Sequence, residues 1–254
     1  MLRNKIVLIT GASSGIGEAC AHGFAKAGAT LILSARRIDI IQKLAEQLKQ
    51  RYQTEVQCVE LDVRDHAQIK KQLSTLPENL KHIDVLINNA GLAAGLSSVQ
   101  EGDVTDWETM IDTNIKGLLY MTREILPGMV AREEGHIINI GSISGHTVYP
   151  NGVVYCATKH AVKALSQGLR MDLLGTKIRV SSVDPGAVET NFSLVRYKGD
   201  VERARKVYEG FDPLRAQDIA EAVLFCATRP PHVNVSEMIV MPTDQAAVHM
   251  IARK

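Results

Sequence analysis

Residues 5–17 read KIVLITGASSGIG, and no other stretch restricts the fold as much. KIVLIT (5–10) is a short β-branched apolar run, the mark of a strand buried on both faces. It passes directly into Gly11, Gly15 and Gly17, then into EACAHGFAKAG, a helix-like stretch that stops at Gly28. Strand, glycine-rich turn and helix form the first half of a βαβ unit. The glycines permit tight turning and close approach of a ligand to backbone. The helix start offers free N–H groups and a positive dipole end to a pyrophosphate. Ser13 and Ser14 can add hydroxyl donors, and Ile16 lies between the last two glycines. The spacing is G-x-x-x-G-x-G rather than the commoner G-x-G-x-x-G, so a plain βα turn is the competing reading of this loop alone.

The rest of the chain repeats the alternation. Apolar strand-like runs at 30–35, 55–63, 83–91, 135–142, 177–190 and 237–243 are separated by helix-period stretches at 38–52, 65–76, 105–132, 153–174 and 213–228. The pattern predicts a single-domain α/β architecture over 1–254: a doubly wound Rossmann fold whose seven-stranded parallel sheet is flanked by helices. In such sheets ligands bind beyond the carboxyl ends of the strands. The glycine loop, Arg36, Asp62, Asn88, Ser142 and Pro185 close six of the strands in turn, so six separate strand ends converge on one edge.

Composition limits the partners. With 29 basic and 28 acidic residues the net charge is +1, which argues against a broad electrostatic footprint for nucleic acid or an anionic membrane. The four cysteines (Cys20, Cys58, Cys156, Cys226) form no CxxC pair and read as buried small hydrophobes in a reducing compartment. The apolar run in MLRNKIVLIT is too short for a signal peptide or a membrane span, so a cytoplasmic location is expected. His146, His160 and His249 stand at no metal-ligand spacing, and no metal is expected.

Several residues carry candidate chemistry. After the second strand, where an acid would take the ribose 2′-OH of NAD, the chain has Ala35 followed by Arg36 and Arg37. The planar fork of an arginine suits a 2′-phosphate, so NADP(H) is expected over NAD(H). Asp62, followed by Val63, could accept from an adenine amino group or cap a helix. Asn88 and Asn89 can peg neighbouring strands and touch a ribose. Asn114 falls inside a helical pattern, where a bulge could free a carbonyl to hold a water. Tyr155 and Lys159 are four apart and share one helix face. An ammonium beside the phenol is expected to lower the tyrosine pKa and let it exchange a proton with a substrate oxygen, which Ser142 would orient.

Thr10-Gly11-x-x-x-Gly15-Ile16-Gly17, Asn88-Asn89-Ala90-Gly91, Asn114, Ser142, Tyr155-x-x-x-Lys159 and Pro185-Gly186 follow one another across nearly the whole chain. In this order the set resembles the short-chain dehydrogenase/reductase superfamily. The resemblance implies a catalytic tetrad in which Tyr155 is the acid/base and Lys159 lowers its pKa and holds the nicotinamide ribose. Ser142 would bind the substrate oxygen, and Asn114 would support a proton-relay water. It implies cofactor contacts from the glycine loop, Asp62, Val63, Asn88, Ala90 and Gly91, and nicotinamide contacts from Pro185, Gly186, Val188 and Thr190. Asp184, ahead of Pro-Gly, departs from the commoner pattern and is not expected to affect catalysis. A narrower likeness, in VETNFSLVRYKGD (188–200) and MPTDQA (241–246), is to the NADP-dependent 3-hydroxy acid dehydrogenases. It implies a small substrate such as serine, allo-threonine or 3-hydroxypropionate, or an oxo partner such as malonic semialdehyde. Residues 190–212 could form a lid, with Arg196 or Lys198 binding a carboxylate or sulfonate. Val148, Tyr149, Pro150 and Val153 could line the pocket. A reductase of uncharged ketones and a non-catalytic NADP-sensing protein are the alternatives. The resemblance also implies a homotetramer.

Overall fold

The structure, a computed structural model, describes residues 2–254. Its centre is a seven-stranded, wholly parallel sheet in the order β3-β2-β1-β4-β5-β6-β9. These strands are β1 (Ile6–Thr10), β2 (Thr30–Ala35), β3 (Val56–Glu60), β4 (Val85–Asn88), β5 (Gly135–Ile140), β6 (Ile178–Pro185) and β9 (Glu237–Val240). All seven expected strands are present. Alternation along each strand supplies two apolar faces. Val7, Ile9, Leu31 and Leu33 meet Phe24 of α1 (Gly15–Lys26), Ile41 of α2 (Ile38–Tyr52) and Val223 of α9 (Ala216–Ala227). Leu8, Ile32, Leu86 and Ile137 face the other way, against Ile69 of α3 (His66–Ser74) and Met121 of α5 (Leu118–Arg132). Strand order reverses between β1 and β4, and a crevice opens there at the carboxyl edge.

Two expected elements are interrupted. The helix predicted over 105–132 is α4 (Val104–Ile111) joined to α5 through a π turn, Asp112–Gly117, so Asn114 does sit at a break. Gly117 is pressed onto Val63, and a Cβ there would approach Val63 Cγ2 to 2.7 Å. The strand predicted over 177–190 ends at Pro185, and a two-residue β7 (Val188–Glu189) follows, paired with β8 (Leu214–Arg215). The bend between them is braced by the last part of the chain. Gly186 N–H donates to Val240 O (2.7 Å), and Ala187 N–H donates to buried Gln245 Oε1 (2.8 Å). The segment after β7 holds two short helices, α7 (Phe192–Arg196) and α8 (Val201–Lys206). Helix α6 (Val153–Asp172) packs beside β6, and β10 (Gln245–Ala247) and β11 (Met250–Ile251) close the chain as a hairpin.

One polar residue under the site affects stability. His136 in β5 is 1% exposed, and its Nε2 pairs with Ser181 Oγ at 2.8 Å. Burial, with Arg179 nearby, pushes its pKa down to about 3. The unfolded chain binds this proton near the ordinary value of about 6.5, so stability is complete above that pH and falls as pH drops toward 3. Urea unfolding is expected to give about 2 kcal/mol less stability from this residue at pH 5 than at pH 7.5. His136→Gln should lose most of that difference; an unchanged acid dependence in the variant would assign it elsewhere.

Candidate active site

The glycine loop folds back over the start of α1. Gly11 and Gly15 have φ of +65° and +59°, in the left-handed region that favours glycine. At Gly17 the limit is space: a Cβ would come within 2.4 Å of Gly11 O and 2.5 Å of Asn89 Nδ2. Ser14 caps α1 without a side-chain hydrogen bond, so no side chain takes the N–H groups of the first turn. Ile16 turns inward against the core, and Thr190 lies over Gly15, whose Cβ position is 3.4 Å from Thr190 Cβ. Arg36 and Arg37 are exposed at the end of β2. Arg37 reaches back to the loop, its Nη2 donating to Ser13 Oγ at 2.9 Å. Asp62 is gripped by Arg64, whose Nη2 lies 2.6 Å from Oδ2, and this pairing holds its carboxyl below the usual range. Asp65, not Asp62, caps α3. A close-approach backbone cradle, an uncapped helix start and adjacent arginines are a donor set that fits a phosphorylated dinucleotide.

The asparagine pair pegs the sheet. Asn88 Nδ2 donates to Thr122 Oγ1 (3.1 Å) and Asn139 Oδ1 (3.0 Å). Asn89 Nδ2 donates to Thr10 O (2.8 Å), while the Asn89 and Ala90 N–H groups both donate to Thr10 Oγ1 at 3.0 Å. Asn139 is a member of this network that sequence reasoning missed, and Thr10, quoted in the glycine motif, was given no role there; a lone threonine or asparagine in an apolar strand signals only that it has a partner.

Asn114, Ser142, Tyr155 and Lys159 are all buried and come together beyond β4 and β5. Asn114 is fixed by Leu92 at both ends of its amide: Oδ1 accepts from Leu92 N–H (2.9 Å), and Nδ2 donates to Leu92 O (2.8 Å) and Thr158 Oγ1 (3.0 Å). Thr158 Oγ1 in turn donates to Tyr155 O at 2.8 Å, coupling the π turn to α6. Gly91 sits between the two, its Cβ position 3.2 Å from Asn114 Oδ1 and 3.7 Å from Lys159 Nζ. Ser142 caps a one-turn helix at 143–145, with Ser144 N–H donating to its Oγ (3.0 Å). Lys159 Nζ donates to Ile140 O at 2.8 Å, and burial pushes its pKa down to about 8 against the pull of Asp184.

The expected lowering of the Tyr155 pKa by Lys159 is not found. Burial dominates and pushes the phenol up, with the Ser142 hydroxyl and Arg196 opposing. The shared helix face is legible from spacing; the depth at which it is buried is not.

In front of Tyr155 lies a narrow cleft, lined among others by Trp107, Met110, Val153 and Arg196. Phe192 meets the Tyr155 ring edge to face at 5.6 Å. The Arg196 guanidinium lies over the rings of Tyr149 (5.3 Å) and Tyr155 (5.7 Å). Its Nη2 and the Tyr149 hydroxyl are buried close to one another, neither with a hydrogen bond of full geometry. Backbone bonds tie this segment to the opposite rim, with Gly95 N–H donating to Arg196 O (3.0 Å). Lys198 does not join Arg196: it pairs with Asp106 (2.9 Å) and Asp103 (3.4 Å) on the rim, which removes it as an anion ligand. Val148, 64% exposed, is not among the residues lining this cleft. Asp184, which the sequence marks as incidental, is buried and bonded to His146 and Ser182.

The pattern of the short chain dehydrogenase family matches residues 5–199. The NADP-dependent 3-hydroxy acid dehydrogenase YdfG of Salmonella typhi is 49% identical over 242 residues, 95% of this chain and 96% of that protein. Sulfoacetaldehyde reductase 2 of Chromohalobacter salexigens is 46% identical over 96% of both chains. Among solved structures, the closed form of serine dehydrogenase complexed with NADP+ superposes with a TM-score of 0.91 at 45% identity, covering 98% of this chain and 99% of that one. With the family pattern spanning most of its length on this sheet and this arrangement of Ser142, Tyr155 and Lys159, the chain belongs to the short chain dehydrogenase family.

Proposed function

We propose that the protein is an NADP(H)-dependent oxidoreductase acting on a small anionic 3-hydroxy acid (serine, allo-threonine or 3-hydroxypropionate) or on its oxo partner. The observation that carries the substrate class is Arg196, a guanidinium with a buried, unpaired Nη2 beside the Tyr155 ring. An unpaired buried donor of this kind is costly unless an acceptor arrives, and a carboxylate or sulfonate is the acceptor its fork matches. The names of the two relatives and the solved neighbour, which specify a 3-hydroxy acid, sulfoacetaldehyde and serine, support the same class.

When bound, the nicotinamide gives or takes the hydride. The chain's own residues bind, orient and move the proton. Gly11, Gly15, Gly17 and the start of α1 would hold the phosphates, with Arg37 steadying the loop through Ser13; Arg36 would hold the 2′-phosphate, and Pro185, Gly186, Val188 and Thr190 the nicotinamide end. Ser142 donates to the substrate oxygen. Tyr155 supplies its proton in reduction and recovers it in oxidation; a phenol that burial keeps protonated is the form reduction requires. Lys159 keeps an ammonium near that phenol, and Asn114 fixes the loop between them. Residues 190–212 serve as the lid over the cleft.

A reductase of uncharged ketones is the second reading, favoured by the apolar wall of Trp107, Met110 and Val153. One comparison separates the two. Arg196→Ala is expected to lower kcat/KM about twentyfold for malonic semialdehyde or sulfoacetaldehyde and less than threefold for a neutral short aldehyde. Equal losses for charged and neutral substrates would favour the second reading.

We also propose a homotetramer working in the cytoplasm. Exposed large apolar side chains support the assembly: Ile111, Leu119 and Val130 on α4 and α5, Phe225 on α9, and Ile239 in the edge strand β9. Four free cysteines suit a reducing compartment. Light scattering at micromolar concentration is expected to give four times the chain mass.

A further inference from the structure

His146, Lys163, Asp184 and Glu237 form a charged cluster behind the candidate site, on the far side of Ser142 and Lys159. Lys163 Nζ lies 2.9 Å from His146 Nδ1, and His146 Nε2 lies 2.7 Å from Asp184 Oδ2. Ser182 Oγ donates to the other oxygen, Oδ1. Glu237 stands 3.7 Å from both His146 Nε2 and Lys163 Nζ. An ammonium can only donate, so Nδ1 accepts, Nε2 carries the proton, and the chain runs from Lys163 through a neutral His146 to the Asp184 carboxylate. The His-Asp-Glu trio resembles a set of metal ligands, but the Lys163 ammonium already supplies the cation, and 2.7 Å between His146 and Asp184 is a hydrogen-bond distance.

The placement of Asp184 connects this cluster to the chemistry. Its carboxylate fills the space beside Gly141, where a Cβ would lie 1.9 Å from Oδ1. Gly141 immediately precedes Ser142, and His146 closes the same turn through its N–H to Ile143 O (3.0 Å). On the other side, Asp184 is followed directly by Pro185 and Gly186. It is also the one charge that acts on buried Lys159 to favour the ammonium.

We propose that Asp184, held by His146, is a positioning residue for the reaction: its carboxylate anchors the Ser142 turn to the strand end before Pro185. The proposal rests on the reading of Ser142 and Lys159 given above, and it reverses the expectation that Asp184 leaves catalysis untouched.

The test is kcat/KM for the aldehyde at saturating NADPH from pH 6 to 10, in the full-length protein. Asp184→Asn keeps the shape and removes the charge. It is expected to lower the value about tenfold at pH 7 and to move the alkaline fall about one pH unit lower, because Lys159 loses its proton sooner. A profile parallel to that of the unmodified protein would make Asp184 merely structural and overturn the proposal. Should Asp184→Asn not fold, the His146 pair decides. His146→Ala is expected to lose about fivefold. His146→Gln should recover most of it, since an amide can donate to Asp184 and accept from Lys163. A glutamine no better than alanine would overturn the proposal. Lys159→Met separates the two levels. If it abolishes turnover while the Asp184→Asn limb stays in place, only this inference falls; if it retains turnover, the reading of the site falls, and the proposal with it.

Discussion

Tyr155→Phe is expected to lower turnover about a thousandfold with little change in thermal stability. The ring would keep its edge-to-face contact with Phe192 and its place under Arg196, so packing is preserved and only the hydroxyl is lost. Its neighbours are placed as supports: Ser142 Oγ accepts from Ser144 N–H at 3.0 Å, and Lys159 donates to Ile140 O at 2.8 Å. Stopped-flow measurement of NADPH oxidation checks the magnitude. A residual rate above a tenth of the original would show that the phenol is not the proton donor. The pH dependence adds a second check. Because burial keeps the phenol protonated well past neutrality, reduction should be flat from pH 6 to 7.5. Its decline should begin near 8, where Lys159 loses its proton. A decline centred near 6 would assign the titrating group elsewhere.

Arg36→Ala is expected to raise the KM for NADPH about a hundredfold while changing that for NADH less than threefold. The two arginines at the end of β2 are not equivalent. Arg37 is partly spent on Ser13, so Arg37→Ala should loosen the phosphate loop and weaken both cofactors together. Arg36 makes no such bond to the loop and is the freer of the two to meet a 2′-phosphate. Initial rates with both cofactors on both variants resolve the roles. Parallel losses for NADPH and NADH in Arg36→Ala would defeat the assignment.

The sheet was readable because parallel strands buried on both faces carry unbroken apolar runs; TLILSA and HIINI have no other plausible fate in a chain of this composition. Their ends were readable because six of the runs stop at a glycine, arginine, aspartate, asparagine, serine or proline on the same edge. The break at Asn114 was also legible, although not as a π turn. What lay beyond the sequence depended on distance across the fold. Asp184 and His146 are 38 positions apart and meet only because β5 and β6 are neighbours in one register, with Ile140 opposite Val183. The stacking of Arg196 on Tyr149 joins α7 to the segment before α6 in the same way. The direction of the Tyr155 shift was misjudged for a related reason. Helical spacing fixes which residues share a face, while desolvation depends on what the rest of the molecule lays over that face.

Every candidate catalytic side chain lies before residue 160, yet the bend after β6 takes its brace from Val240 and Gln245. Translation must therefore proceed through Gln245 before the 186–187 bend can acquire its brace. A nascent chain released at residue 235 would carry the whole tetrad with the 186–187 bend untethered. Loss of the segment from Val240 to Gln245 should thus yield inert protein rather than a crippled enzyme, making that brace a quality control on synthesis.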